Sequence, residues 1–369
     1  MRLVISAVNF TEGGPLTVLR DAVKNAAQYY PNWEIIVLVN RIGILSEYDV
    51  IELEFPKAKK SWIYRLWLEW WSFKSLSVRL KPDVWLSLHD ITPRVLAARQ
   101  YVYCHNPAPF CREKIPFAIL EKNFLLFKFF YGILYGVFIK RNNAVIVQQE
   151  WLRKIFLERF SLRRVIVAHP QRPRLSLGSR ARINSLPKTF FYPAFPRVFK
   201  NFELLGDAIE ILEGNYQWRG EILITIDGTE NLYAEKIYHR YRHLKSLKFI
   251  GLQSALQMDE YYSTVDALIF PSLLETWGLP LSEARDNGLP ILVADLPYAR
   301  ETVGSYDKVI LFEPHSPRAL ALLILDLHLG RQKFGAISGS AIDNPYADSW
   351  KELFDLLLIQ DELAKNEIS

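Results

Sequence analysis

The amino-acid sequence predicts an α/β protein of two domains, each built on a parallel sheet. Its 369 residues are enough for two domains of ordinary size. Half of them are hydrophobic and 23% are charged, the balance of a chain that folds around apolar cores. Short apolar runs alternate with helical stretches in both halves, which is the pattern of strands joined by crossover helices. No internal repeat or low-complexity segment interrupts it.

In the first half, residues 2–8 read as a strand. A loop containing Gly13 and Gly14 leads into a helix over 15–29, and residues 33–39 and 50–55 give two more strands. Strand, glycine loop and helix invite a dinucleotide-fold interpretation, but the pair Gly13-Gly14 has no third glycine at the required spacing. A tight turn and a ligand loop both fit. Residues 61–80 form a long helix carrying Trp62, Trp67, Trp70 and Trp71. Aromatic residues at helical spacing serve a core, yet adjacent Trp70 and Trp71 cannot share one narrow face, so part of this indole surface reaches an interface.

Residues 83–88 form the next strand, ending at His89 and Asp90, and 100–104 another, ending at His105. Open parallel sheets bind ligands at such C-terminal strand ends. A histidine there also serves to hold a loop. Residues 124–139, from Phe124 to Ile139, are almost all apolar, with Lys128 inside and Lys122, Lys140 and Arg141 flanking. Sixteen residues fall short of the roughly 20 that a membrane-spanning helix needs. The pattern suits a helix lying on a bilayer, with a buried core helix as the alternative. Strands at 144–148 and 165–168 enclose a helix over 151–160.

Residues 171–188, rich in proline and arginine and lacking periodicity, read as a linker. The expected organisation is therefore 1–170 as the N-terminal domain, 189–345 as the C-terminal domain, and 346–369 as a closing helical segment. In the C-terminal domain, strands are expected at 190–192, 222–226, 247–250, 267–270, 291–294 and 309–312, with helices at 201–212 and 317–329.

Charge is unevenly distributed. From Arg94 to Lys188 there are 18 Lys and Arg against 4 Asp and Glu, a net of +14, which leaves −9 for the rest of a chain whose total is +5. No zinc-finger or RNA-recognition signature accompanies the basic half, so an anionic membrane is the expected partner and nucleic acid is not. The two cysteines, Cys104 and Cys111, are too few for a disulfide framework or a zinc site and suggest a reducing compartment. The opening residues run directly into a strand pattern without a signal-peptide layout.

The most informative stretch is 270–284. An apolar run ends at Phe270, a turn follows, and a helix begins near Pro280, a residue suited to the first helical turn. Glu275 and Glu283 bracket the turn with seven residues between them. The helix start offers free N–H donors and the positive end of the helix dipole, a setting that holds anions.

The pair Glu275 and Glu283, embedded in Pro271-Ser272-Leu273-Leu274-Glu275-Thr276-Trp277-Gly278-Leu279-Pro280, resembles the hallmark of retaining glycosyltransferases with the GT-B fold, family four type, which includes bacterial surface-polysaccharide enzymes. The run Gly288-Leu289-Pro290-Ile291-Leu292-Val293-Ala294-Asp295-Leu296-Pro297 resembles the same family. The order of elements follows it over essentially the whole chain, more loosely in the N-terminal half. The resemblance implies two Rossmann-like domains facing across a cleft, with the C-terminal helix crossing back to the N-domain. It implies that Glu283 binds ribose hydroxyls and that Glu275 contacts the donor sugar near the reacting carbon. Thr276, Trp277, Gly278 and Leu279 would offer backbone donors to sugar and phosphate. Lys200 would neutralise the diphosphate, His105 would lie close to the donor sugar, and Gly13 and Gly14 would face phosphates and acceptor. The family places an arginine five residues before the lysine, where this chain has Phe195. Arg197, three residues before Lys200, would either reach the same phosphates from a reshaped loop or have no part in the site.

The donor implied is a nucleotide sugar, with a lean toward GDP-mannose, and the acceptor a lipid-linked or lipopolysaccharide glycan. No cofactor and no metal are expected, since no Asp-x-Asp pair occurs in the chain. The expected location is cytoplasmic and peripheral, on the inner face of the cytoplasmic membrane. The rival functions are a nucleotide-sugar epimerase or hydrolase of the same fold, and a non-catalytic nucleotide-sugar-binding subunit.

Overall fold

A computed structural model describes residues 1–170, 186–339 and 342–358. Most of the expected linker, residues 171–185, lies outside the described residues, as do 359–369 of the expected C-terminal helix. Among the described residues the strands, in chain order, are β1 (Arg2–Ser6), β2 (Glu34–Val39), β3 (Ile51–Glu54), β4 (Val84–Ser87), β5 (Arg99–Cys104), β6 (Ala144–Val147), β7 (Val165–Ala168), β8 (Thr189–Tyr192), β9 (Glu221–Ile224), β10 (Leu247–Phe249), β11 (Ala267–Phe270), β12 (Ile291–Ala294), β13 (Val309–Phe312) and β14 (Tyr346–Ala347). They form two sheets, and every pairing between them is parallel.

The first sheet runs β14-β7-β6-β5-β4-β1-β2-β3. Its inner strands are buried on both faces, as the near-continuous apolar runs of a parallel sheet require, while β3 at the edge is not. Leu3 and Ile5 of β1 join Ile35 and Val37 of β2 on one face, against Leu19, Val23 and Ala26 of the helix Gly13–Tyr29. Val4 and Ile36 take the opposite face with Phe73 and Trp85. The helix Trp350–Leu358 closes the first face: Phe354 meets Tyr30 and Trp33 edge-on, and the Tyr101 hydroxyl donates to the Leu357 carbonyl at 2.7 Å.

The second sheet runs β10-β9-β8-β11-β12-β13. Both strand orders reverse once, between β1 and β4 in the first sheet and between β8 and β11 in the second. Such reversals splay the loops apart and open a crevice at the C-terminal strand ends.

The described residues divide into two compact units, 1–106 with 130–170 and 342–358, and 107–129 with 186–339. The stretch 107–129 thus belongs to the second unit, although the sequence assigns it to an N-terminal domain spanning 1–170. Its side chains explain the difference. Glu113 meets His315 at 2.6 Å, Phe117 packs on Tyr233, and Phe124 packs on Phe199. The closing segment departs from a single helix, because Tyr346–Ala347 first pairs with β7 as a strand.

Two helices differ in detail from expectation. The long helix is Trp62–Trp67, a π turn over Leu68–Ser72, then Phe73–Leu80. Insertions of this kind rotate the side chains that follow and recur at functional sites. Trp62, Trp67 and Trp71 are exposed, whereas Leu68 and Glu69 are buried. The apolar helix is Lys122–Gly136, and it is neither wholly buried nor wholly exposed. Phe124, Tyr131 and Tyr135 are buried, while Leu126, Phe129, Phe130 and Ile133 stand 54–67% exposed along one stripe. No helix among the described residues is long and apolar enough to cross a membrane.

Candidate active site

In the second unit the strand-order reversal sets the end of β8 beside the end of β11. The chain leaving β8 reaches a short turn, Val198–Lys200, and the chain leaving β11 reaches Glu275. Backbone and side-chain bonds fix the two loops together. Leu273 N–H donates to the Phe199 carbonyl at 2.8 Å, and the Tyr192 hydroxyl to the Lys200 carbonyl at 2.7 Å. Asn201, in the left-handed region at φ 58°, donates its amide to the carbonyls of Pro271 and Pro314. From the other side, the Tyr298 hydroxyl donates to the Ser272 carbonyl at 2.7 Å.

This scaffold delivers Lys200 Nζ to 2.5 Å from Glu275 Oε1, with the two side chains only 15% and 13% exposed. The ammonium also lies 5.6 Å from the Phe270 ring centroid and 5.7 Å from that of Phe199, so apolar walls bound the pair. Removing one partner of a pair so enclosed leaves an uncompensated charge, worth about 3–5 kcal/mol in comparable buried pairs. Lys200 and Glu275 are therefore brought together as one unit, although they lie 75 positions apart in sequence.

The turn after Glu275 ends at Gly278, whose φ of 80° suits glycine and starts the helix Leu279–Asp286. A Cβ added there would come within 3.2 Å of the Leu281 side chain. Leu281 N–H is already satisfied by the Gly278 carbonyl at 2.9 Å and Pro280 has no N–H, so fewer donors are on offer than the sequence suggested. Thr276 and Leu279 are partly exposed at this end. Trp277 also contributes through its side chain: its ring is buried and its indole N–H donates to Ser282 at 2.9 Å, which makes the ring a support for the turn. One turn into the helix, Glu283 is half-buried and accepts the Tyr262 hydroxyl.

Arg197 does not join Lys200. Its guanidinium pairs with Glu121 and stacks over Phe199 at 5.6 Å, while Glu121 also accepts Val198 N–H at 3.2 Å. Sequence reasoning had no means of finding this partner, because Glu121 lies 77 residues from Val198 in the stretch assigned to the other domain. Arg197 thus locks the turn that carries Lys200. Beneath that turn, Glu203 accepts the Tyr233 hydroxyl, and burial pushes its carboxyl up to about 7 against the pull of that bond.

The remaining candidates belong to the first unit. Gly13 opens its helix at φ 67°, two residues before the expected start, and a Cβ at either Gly13 or Gly14 would meet open space. The helix start is thus accessible to a ligand. His105 follows β5, stacked on Tyr103 at 4.3 Å and edge-on to Phe10 at 6.1 Å. Its Nδ1 lies 3.4 Å from the Gln148 amide, and its Nε2 is buried without a hydrogen-bond partner. Burial lowers the imidazole below its ordinary range, with Asp90 acting in the opposite sense.

Asp90 is the residue the sequence left without a role. It sits in the left-handed region at φ 71°, and its carboxylate gathers one side of the site. Oδ1 accepts the N–H of His105 at 2.5 Å, that of Asn106 at 3.2 Å and the Tyr135 hydroxyl at 3.0 Å; Oδ2 accepts the Tyr131 hydroxyl at 3.1 Å. The His105 turn is thereby tied to the helix that carries the exposed apolar stripe. The one signal in the sequence was an acidic residue directly after a strand-end histidine.

His89 is buried and takes a structural part. Its Nε2 lies 2.9 Å from Ser6 Oγ and 3.2 Å from Glu69 Oε1. The Arg65 guanidinium donates to the His89 carbonyl at 2.7 Å. Burial drives Glu69 up to about 8, with Arg65 opposing, and burial and Arg65 together hold His89 well below its usual range. Burial thus pushes both His89 and Glu69 toward their neutral forms.

Residues 181–337 match the family described as Glycosyl transferases group 1. Over 170 residues the chain is 26% identical to the GtfA subunit of a UDP-N-acetylglucosamine–peptide N-acetylglucosaminyltransferase of Streptococcus parasanguinis, an alignment that spans 43% of this chain and 32% of that protein. A glycosyltransferase of Rickettsia africae superposes with a TM-score of 0.64 at 12% identity, over 90% of this chain and 89% of that one. The lipopolysaccharide outer core galactosyltransferase WaaB gives 0.64 at 14% identity, over 90% and 92%. Anabaena HepE, crystallised with UDP-glucose, gives 0.57 at 15% identity, over 90% and 91%. Residues 181–337 are thus similar to group 1 glycosyltransferases, and the chain has the two-sheet α/β fold shared by GT-B glycosyltransferases.

Proposed function

We propose that the protein is a retaining glycosyltransferase that moves a hexose from a nucleotide sugar to a lipid-linked or lipopolysaccharide glycan. The observation that carries this is the enclosed Lys200–Glu275 pair beside the start of the helix Leu279–Asp286. Breaking a glycosyl–phosphate bond leaves negative charge on the diphosphate and positive character on the sugar carbon. Lys200 and the helix start stand ready for the first, and the Glu275 carboxylate for the second. Donors preorganised toward developing charge are each worth about 3–4 kcal/mol when removed from comparable sites. The ammonium has three N–H donors, so it can hold Glu275 and a phosphate oxygen together. Glu283, one turn further along, is the candidate for the ribose. Retention would follow from attack on the leaving-group face, assisted by a phosphate oxygen. No step in this scheme calls for a metal.

For the first unit we propose that Gly13 and Gly14 face phosphates and acceptor and that His105 lies close to the donor sugar. The stripe Leu126, Phe129, Phe130 and Ile133, set in the basic part of the chain, supports peripheral attachment to an anionic membrane at the cytoplasmic face. The exposed Trp62, Trp67 and Trp71 extend the aromatic surface available to the headgroup region.

A thermal-shift panel of GDP-mannose, UDP-glucose, UDP-N-acetylglucosamine and dTDP-sugars tests the donor. Mass action stabilises the fold by about 2.7 kcal/mol at a hundredfold excess over the dissociation constant. The sequence leans toward GDP-mannose, and the uridine donors printed in the names of the relatives are the ones to set against it. Stabilisation by one sugar nucleotide and transfer from it are expected. Binding with turnover to a free sugar alone would favour a hydrolase, and an altered sugar configuration on the intact nucleotide would favour an epimerase.

A further inference from the structure

A second concavity opens in the first unit, at the edge of the sheet opposite His105. It encloses about 590 Å³ and is lined by Lys140, Arg141, Asn142, Asn143, Arg163 and Arg164, among others. These residues immediately precede β6 and β7, so the pocket lies at the N-terminal strand ends, whereas ligands of open parallel sheets bind at the C-terminal ends. Its volume falls in the range of small-molecule sites.

The rim is held in place by bonds that do not use its charges. Phe138 takes a left-handed φ of 60° and turns the chain into the short helix Ile139–Arg141. The Asn142 amide donates to the Ile139 carbonyl and to Thr92 Oγ1, each at 2.8 Å. Asn143 is fixed to both backbone groups of Gln100, accepting its N–H at 2.9 Å and donating to its carbonyl at 2.8 Å. Across the pocket, Ser161 at φ 49° ends the helix Glu150–Phe160, and Arg164 reaches the Leu356 carbonyl at 3.3 Å.

Lys140, Arg141 and Arg163 thus line one pocket, and among the described residues its lining contains no carboxylate. Among the described residues no carboxylate pairs with Lys140, Arg141 or Arg163. Guanidinium groups favour bidentate contacts to phosphate, and three like charges set side by side concentrate a polyvalent anion. We infer that this pocket is a binding site for a phosphate-bearing anion, separate from the strand ends used in the proposed transfer. The same phosphate chemistry is presented by a soluble diphosphate and by the headgroup of an anionic lipid. The inference does not depend on the donor site.

Calorimetric titration with inorganic diphosphate and co-sedimentation with phosphatidylglycerol vesicles form the two arms of the test. Each compares wild type, Lys140→Ala/Arg141→Ala/Arg163→Ala, and a charge-matched control, Lys57→Ala/Lys60→Ala/Lys74→Ala. Repeating the titration in Lys200→Ala counts separately any diphosphate held at the donor site. Diphosphate binding that weakens at least tenfold in the pocket variant, but not in the control, would support a soluble ligand. Loss of vesicle binding confined to the pocket variant would support a lipid headgroup. Equal behaviour of pocket variant and control in both arms would overturn the inference. Should the triple variant fail to fold, Arg163→Ala alone decides between the same outcomes, because its side chain is exposed.

Discussion

At the ends of β8 and β11 the ionisable side chains form an enclosed ion pair, Lys200 with Glu275, backed by a second pair between Arg197 and Glu121. At the ends of β1 and β4 the corresponding position holds a buried cluster, Ser6, His89 and Glu69 with Arg65 on the His89 carbonyl, and burial drives the histidine and the glutamate away from charge. The two sheets share a strand-order reversal, yet one reversal presents charge and the other hides it. A site that must meet a diphosphate needs fixed charge at its surface. On the proposed function the first unit's strand ends would position sugar and acceptor, for which a rigid floor serves.

Breaking the charged side should have the largest effect. Lys200→Ala and Glu275→Ala are each expected to lower the transfer rate by at least 10²–10³, the range for a lost preorganised charge contact. Steady-state rates, with circular dichroism to confirm folding, check this. Because each single variant strands its partner, the double variant Lys200→Met/Glu275→Gln should be more stable than either single, while remaining inactive.

The neutral side is tested by pH. Glu69 holds its proton up to about 8 in the fold, against about 4.5 when unfolded. Between those values the unfolded chain releases a proton that the folded chain keeps, so this group's contribution to stability falls as pH rises. The slope approaches about 1.4 kcal/mol per pH unit across the window. Glu69→Gln is expected to remove that fall, so denaturant melts of variant and wild type should diverge steadily between pH 5 and 8. Parallel curves would show that Glu69 is not protonated in the fold.

Asp90 joins the two behaviours, since it is a polar anchor under an aromatic wall. Asp90→Asn keeps a residue tolerant of left-handed backbone but weakens bonds to His105, Asn106, Tyr131 and Tyr135. A loss of about 1.5–3 kcal/mol is expected in denaturant melts, the usual worth of a hydrogen bond to a charged group. The donor KM should rise more than kcat falls, because the residue positions the His105 turn. The smallest effect on stability is predicted for Phe129→Ser/Phe130→Ser/Ile133→Ser, within about 0.5 kcal/mol, because these side chains are exposed. The same variant should lose binding to phosphatidylglycerol vesicles, and unchanged sedimentation would return the stripe to another role.

What the sequence made legible follows the same division. Alternating apolar runs and helices gave the two parallel sheets, because burial on both faces writes itself into consecutive residues. The stretch from Phe270 to Asp286 was readable because turn, glycine, proline and carboxylates lie side by side. Lys200 could be named from its motif, but its pairing with Glu275 rests on a β8–β11 contact that no local pattern encodes. Arg197 was a candidate for phosphate because Glu121 was out of sight, and 107–129 was placed in the N-terminal domain for the same reason. The expectation for Trp277 concerns its backbone N–H, and the bond from its indole to Ser282 is an addition that no local pattern shows. Asp90 and Glu69 went unassigned since their roles arise from burial and from bonds made across the fold.

The central claim is that Lys200 and Glu275 form the donor site, and calorimetry tests it directly. The nucleotide sugar that most stabilises the wild type would be titrated into wild type and folded Lys200→Ala. The expected result is at least a tenfold weaker dissociation constant in the variant, with inorganic diphosphate competing for the wild-type site. The same affinity in both proteins would contradict the claim.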